Sequence, residues 1–189
     1  IDNLGKAIGM PVGPLTVYGE VSLELSRKAW ETWQDMGVLD NWGDGTITRD
    51  VIDTMVGEHG RGGRHHGGGF YEYGEDGSKA IWPGLMDLYY NADALVAEDD
   101  IKDRLLFRQV IEALKCLETS VLRTVADGNI GSIMGIGAPA WTGGLIQFVN
   151  TYGLERFSAR CEELASQYGD RFDAPAIVGE KIAAGENFA

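Results

Sequence analysis

The sequence predicts an all-α, mostly helical chain of two related helical halves with at most one short β-hairpin. Three observations predict it. Apolar residues recur every three or four positions along most of the chain. Prolines stand where helices would start, and glycines just past where they would end. Two glycine–proline turns, Gly9-Met10-Pro11-Val12-Gly13-Pro14 and Gly137-Ala138-Pro139-Ala140-Trp141-Thr142-Gly143-Gly144, each follow a short helical piece and precede an amphipathic stretch, which points to duplication of a helical unit.

The elements follow in order. Residues 1–9 read as the last turns of a helix that starts earlier, so the chain reads as a piece of something longer. Across residues 14–36, Leu15, Tyr18, Val21, Leu25, Ala29, Trp33 and Met36 make one face of one helix, with Pro14 suited to its first position and Gly37 to its left-handed stop. Residues 49–56 form a short helix ending near Gly57, and the glycine-rich stretch 57–69 is loop. Phe70-Tyr71-Glu72-Tyr73 and Lys79-Ala80-Ile81-Trp82, joined by the turn Glu75-Asp76-Gly77, form the hairpin, and a short helix follows over 83–91. The acidic break Ala97-Glu98-Asp99-Asp100 separates a first unit, 1–97, from a second, 98–189. Residues 101–123 form a long helix whose apolar face is Leu106, Val110, Ala113, Leu114, Leu117 and Val121. Further helices fall near 129–134, 142–151, 153–168 and 175–184, the last starting at Pro175 with Asp173 as its cap.

Composition narrows the function. With 189 residues, 44% of them hydrophobic and 24% charged, the chain can bury a real core. No run approaches the ~18 apolar residues of a membrane span. The formal net charge is -13, from 16 Lys and Arg against 29 Asp and Glu, which is the wrong sign for nucleic acid or an anionic membrane. Cys116 and Cys161 are too few for a disulfide framework or a zinc cage and read as small hydrophobes in a reducing cytoplasm.

No complete catalytic set is visible. The glycine-rich loop holds His59, Arg61, Arg64, His65 and His66; it reads as a solvated surface loop or as a small anion site with Arg61 and Arg64 as the contacts. No metal is expected, since adjacent histidines rarely chelate one ion and no carboxylate completes the set. Gly135-Ile136-Gly137-Ala138-Pro139-Ala140 matches G-x-G-x-x-A but follows a helix rather than a strand, which is not the dinucleotide-binding context. Glu112, Glu118, Glu162 and Glu163 lie on helix faces that should be solvated. Trp30, Trp33, Trp42, Trp82 and Trp141 read as core and interface mass.

Three segments, in order, resemble the C-terminal helical region of 3-hydroxyacyl-CoA dehydrogenases, of the bacterial multifunctional fatty-acid-oxidation (alpha-subunit) type. Gly9-Met10-Pro11-Val12-Gly13-Pro14 resembles G-x-P-x-G-P. Gly63-Arg64-His65-His66-Gly67-Gly68-Gly69-Phe70-Tyr71-Glu72-Tyr73 resembles G-[RK]-K-x-G-x-G-F-Y-x-Y, with His65 in place of Lys. Arg104-Leu105-Leu106 through Glu112 and Cys116-Leu117-Glu118, then residues 135–144, resemble R-[ML]-x…E…C-L-E-E-G and G-x-G-F-P-P-[WF]-x-G-G, with Ala138 and Ala140 replacing Phe and Pro; Asn129 stands where Asp is usual.

The resemblance implies a fold like the C-terminal region of 6-phosphogluconate dehydrogenase, with the second unit a degenerate copy of the first. It implies a parent enzyme that oxidises 3-hydroxyacyl-CoA to 3-ketoacyl-CoA in fatty acid β-oxidation, with NAD and a catalytic His–Glu pair on a Rossmann domain and with the Ser and Asn that complete the site, the Asn early in the helical region, all upstream of Ile1. No catalytic residue is therefore carried over, the piece alone should be inactive, and no cofactor should bind it. Met10, Pro11, Gly13 and Pro14 would line the acyl end of the substrate cleft. Acyl-CoA, the Rossmann domain, a hydratase domain in the same chain and further subunits in a homo- or hetero-oligomer are the partners implied, in the cytoplasm. The alternative is a non-catalytic structural or oligomerisation module.

Overall fold

The computed structural model describes residues 1–38 and 46–189; Trp42 lies outside the described residues. Among the described residues are ten α-helices and one two-stranded antiparallel sheet. They form two compact units, Ile1–Asp2 with Val12–Leu95, and Asn3–Pro11 with Val96–Ala189. The first helix, α1 (Asp2–Ala7), is therefore divided between them at its first residue.

The first unit contains α2 (Pro14–Val21), α3 (Leu23–Asp35), α4 (Thr46–Asp53) running into a π-helical turn (Thr54–Glu58), β1 (Tyr71–Tyr73), β2 (Lys79–Ile81) and α5 (Gly84–Tyr89). The single helix expected over 14–36 is broken at Ser22. Its φ is 94°, its hydroxyl donates to the Gly62 carbonyl at 2.8 Å, and Glu24 N donates to the same carbonyl. Hydrogen bonds to the glycine-rich loop thus override the continuous helical period. The break also re-aims the apolar face: Val21, Leu25 and Met36 are exposed, and Leu23 is fully buried instead. Gly37, with φ 66°, ends α3 as the sequence suggests. In the hairpin, Tyr71 pairs with Ile81 and Tyr73 with Lys79. Leu23, Ile52, Met55 and Phe70 form a small core on which Leu15, Trp82 and Leu85 pack.

The second unit contains α6 (Glu98–Glu118), α7 (Val125–Ile136), a 3-10 turn (Ala140–Thr142), α8 (Leu145–Tyr152), α9 (Leu154–Tyr168), a second 3-10 turn (Asp170–Phe172) and α10 (Ala176–Ala184). Asp99 and Asp100 sit in the first turn of α6, where the helix dipole favours them. The helix stops at Glu118 because Ser120 turns left-handed, φ 61°, so Val121 leaves the face predicted for it and is exposed. Leu106, Val110 and Leu114 of that face are buried as expected. They join a much larger core centred on Phe107, which stacks on Phe157 at 4.8 Å and meets Phe148 and Tyr152 edge-on. Each such ring pair contributes about 0.5–1.5 kcal/mol beyond its burial. Asp173 does not cap α10; Pro175 occupies the cap position with no side-chain bond. Trp141 is 62% exposed and not core, while Trp30, Trp33 and Trp82 are half-buried.

Candidate functional site

In the first unit the G-x-P-x-G-P turn is held by a buried carboxylate. Helix α2 starts at Pro14, and Gly13 at its cap has no side chain to satisfy the first N–H groups. Asp2 supplies the acceptor from a distance: its Oδ1 takes Leu15 N at 2.7 Å, and its Oδ2 takes Thr16 N at 3.1 Å and Thr16 Oγ1 at 2.6 Å. The Tyr71 hydroxyl of β1 donates to the same Oδ2 at 2.6 Å. Lys79 of β2 donates to Thr16 Oγ1 and lies 3.8 Å from the centre of the Tyr71 ring. Gly13 is obligatory, since a β-carbon there would lie 2.3 Å from Asp2 Cγ. Burial pushes the Asp2 carboxyl up, but the bonds from Thr16, Tyr71 and Leu15 outweigh it and hold it below the usual carboxylate value. Burial and the bond to Asp2 push the Tyr71 hydroxyl up to about 12.

The glycine-rich loop is folded back on itself. The buried Arg61 donates from Nε to Gly69 O at 2.7 Å and from Nη2 to Tyr71 O at 3.0 Å, with its guanidinium 4.4 Å above the Trp82 ring. Its remaining terminal nitrogen stands 3.9 Å from Glu72. Gly63, at φ 131°, crosses so close to α2 that a β-carbon would lie 3.0 Å from Gly19 O, and Arg64 N donates to that carbonyl at 2.9 Å. Arg64 is exposed, pairs with Glu20 at 3.1 Å and lies over the Tyr73 ring; His65 and His66 are exposed. The two arginines do not converge: one is turned inward to carbonyls and the other faces water.

The second unit repeats the cap construction with a neutral side chain. Asn129 Oδ1 accepts from Ile146 N at 3.1 Å and Gln147 N at 2.9 Å at the head of α8. Gly144, at φ 113°, leaves room for it, since a β-carbon would lie 2.4 Å from Asn129 Cα. Asp2, Gly13 and α2 thus have their counterparts in Asn129, Gly144 and α8.

Of the four residues expected to line a substrate cleft, Gly13 (buried) and Pro14 (half-buried) sit beside Asp2 in the first unit. Met10 (half-buried) and Pro11 (exposed) belong to the second, where Met10 N donates to Gly5 O. Residues 135–140 end α7 and enter a 3-10 turn, with no strand before them, so they do not fit a dinucleotide. Among the described residues no group of three or more His, Cys, Asp or Glu could hold a metal. The residues that sequence reasoning missed are Asp2, Thr16, Tyr71 and Lys79. The signal that could have found them is the echo of the two glycine–proline turns, since the helix after each is capped from a distance, by Asp2 in the first unit and by Asn129 in the second.

Residues 1–73 match the family described as 3-hydroxyacyl-CoA dehydrogenase, C-terminal domain. The chain is 33% identical over 195 residues to the fatty acid oxidation complex subunit alpha of Vibrio campbellii, covering 100% of this chain and 26% of that protein. It is 34% identical over 179 residues to that of Vibrio parahaemolyticus (91% and 24%), and 33% identical over 193 residues to that of Shewanella frigidimarina (97% and 26%). The chain therefore spans about a quarter of the length of these curated relatives. Both motifs that the Asp2 carboxylate ties together lie inside the matched residues, and through them residues 1–73 belong to the 3-hydroxyacyl-CoA dehydrogenase C-terminal domain family.

Proposed function

We propose that the chain is the helical, substrate-facing region of an NAD-dependent 3-hydroxyacyl-CoA dehydrogenase of fatty acid β-oxidation, the enzyme that converts 3-hydroxyacyl-CoA to 3-ketoacyl-CoA. The observation that carries this is the single carboxylate of Asp2. It joins the helix opened by the G-x-P-x-G-P turn to the tyrosine of the Gly-Phe-Tyr motif. A turn fixed so firmly presents Gly13 and Pro14 in one pose, which is what an oriented acyl chain requires. Met10 and Pro11, which belong to the second unit, are the other residues this reading assigns to the acyl chain, and the exposed Arg64, paired with Glu20, is the arginine it assigns to an anionic group of the substrate. Residues 135–140 lack the strand before a dinucleotide-binding turn, so this reading assigns no step of hydride transfer to the described residues and takes the piece alone to be inactive.

In this reading acyl-CoA is the substrate, and a Rossmann domain and a hydratase domain share the polypeptide. The enzyme is a cytoplasmic homo- or hetero-oligomer; no described helix is long and apolar enough to cross a membrane. The first unit is the dehydrogenase C-terminal domain and the second its degenerate copy, which the Asp2 and Asn129 caps support.

A second reading, an assembly module, is favoured by the apolar residues Ile130, Met134 and Ile136 that α7 exposes. Kinetics of the full-length enzyme separate the two. With Met10→Ala or Pro14→Ala, the substrate-facing role predicts a raised KM that differs between short and long acyl chains. Kinetics unchanged at every chain length would favour assembly. NADH formation by the 189-residue chain alone, given a 3-hydroxyacyl-CoA and NAD, would refute its inactivity.

A further inference from the structure

Residues 3–11 stand first in sequence but are built into the C-terminal unit. Ile8 packs on its core, and the Ile8 carbonyl accepts from Trp141 Nε1 at 2.6 Å. Gly9, at φ 97°, passes under the indole, where a β-carbon would lie 3.0 Å from Trp141 Cδ1 and 3.2 Å from Pro139 Cβ. The Pro11 ring lies against Gly137, whose own β-carbon would stand 3.1 Å from it. Three residues of the segment thus meet a feature suited to them: an N–H for the carbonyl of Ile8, a gap for Gly9, a flat glycine for Pro11.

The joint between α5 and α6 has the opposite character. Residues 90–97 form no helix or strand and are all exposed, Leu95 at 95%. Their backbone bonds are local, from Tyr90 N to Met86 O, Ala94 N to Asn91 O and Leu95 N to Asp93 O. Such a stretch is where a protease enters most readily.

We propose that Trp141, Pro139 and Gly137 form a recognition surface for an Ile-Gly-x-Pro segment, filled in cis by residues 8–11, and that this segment straps together the two pieces of a chain cut within residues 90–97. The site takes a segment with a free carbonyl, no side chain at the second position and a proline at the fourth. It rests on contacts inside one unit and is independent of the enzymatic reading.

The test uses the full chain with a specific protease recognition sequence inserted between Asp93 and Ala94. After complete cleavage the two pieces should co-elute in size exclusion at micromolar concentration. Excess synthetic peptide of residues 3–11 should displace the N-terminal piece. Trp141→Ala should weaken retention roughly tenfold or more, as loss of an aromatic anchor does. Trp141 is 62% exposed, so its loss leaves the core in place; Gly9→Val probes the same contact from the other side and should weaken it similarly. Separation of the wild-type pieces at once would overturn the proposal. So would co-elution that neither the peptide nor either substitution changes.

Discussion

The Tyr73 hydroxyl stands directly over the backbone of Gly19: a β-carbon built on Gly19 would lie 2.6 Å from that oxygen. The hydroxyl is itself buried, with no hydrogen-bond partner among the described residues. A helix-weakening glycine in α2 and an unsatisfied phenol in β1 therefore explain each other's tolerance.

The pair sets up a double-mutant cycle. Gly19→Ala should destabilise the protein by about 1–3 kcal/mol through overpacking, despite the better helix propensity of alanine. Tyr73→Phe alone should be near neutral, since it removes a hydroxyl that bonds to nothing among the described residues. The double variant should melt above Gly19→Ala by more than the sum of the singles allows. Urea unfolding of the four proteins checks it, and strict additivity would show that the two groups do not meet.

Asp2→Ala should cost about 2–3 kcal/mol at neutral pH, for it removes a helix cap and strands buried donors. The folded Asp2 carboxyl titrates below its ordinary value because its hydrogen bonds outweigh its burial. Its stabilisation is therefore complete above the unfolded value of about 4 and disappears as pH falls through the folded one. Wild type should converge with Asp2→Ala in acid, and a gap that persists undiminished at the lowest pH would refute the linkage. Asp2→Asn should cost less, since Asn129 caps α8 with the same group.

Two serines adopt left-handed backbone, and they should answer differently to glycine. Ser120, exposed and at φ 61°, serves only to end α6, so Ser120→Gly should gain about 1 kcal/mol. Ser22, at φ 94°, donates to Gly62 O, and losing that bond offsets the relief, so Ser22→Gly should change stability little. Thermal melts distinguish the two.

Thiol labelling should separate the cysteines. Cys161 is fully buried, and burial followed by the nearby Asp173 and Glu162 charges pushes its thiol up to about 12. Cys116 is only half-buried. At mildly alkaline pH Cys116 should react first, and Cys161 only at the rate at which the second unit opens. Equal labelling rates in the folded protein would contradict the packing around Cys161.

Much of the fold is legible in the amino-acid pattern itself. The hairpin around Asp76-Gly77 and the stop at Gly37 are local signals that lie where the pattern puts them, and the helix expected over 153–168 is α9, while the periodic face of α6 holds from Leu106 to Leu117 and fails at Val121, beyond the left-handed Ser120. The break at Ser22 is not legible, because its cause is the Gly62 carbonyl, forty residues away, and no local pattern encodes that bond. The same holds for the site. Gly13 and Pro14 stand out as a turn, but Asp2, which fixes it, looks like one more acidic residue in a chain that carries 29. Arg61 and Arg64 look equivalent in sequence; only the fold turns one inward to Gly69 O and Tyr71 O and leaves the other at Glu20.

The bond from Trp141 to the Ile8 carbonyl spans 133 positions. A ribosome makes Ile8 133 residues before Trp141, and at about 5–20 residues per second that interval is on the order of ten seconds. Throughout it the Ile8 carbonyl lacks its native donor, and Ile8 stays open to whatever it meets. Contacts of such long range also slow folding once the chain is complete. The turn at residues 8–11 is thus among the later parts of the second unit to be finished, although it is made before the helices it packs on.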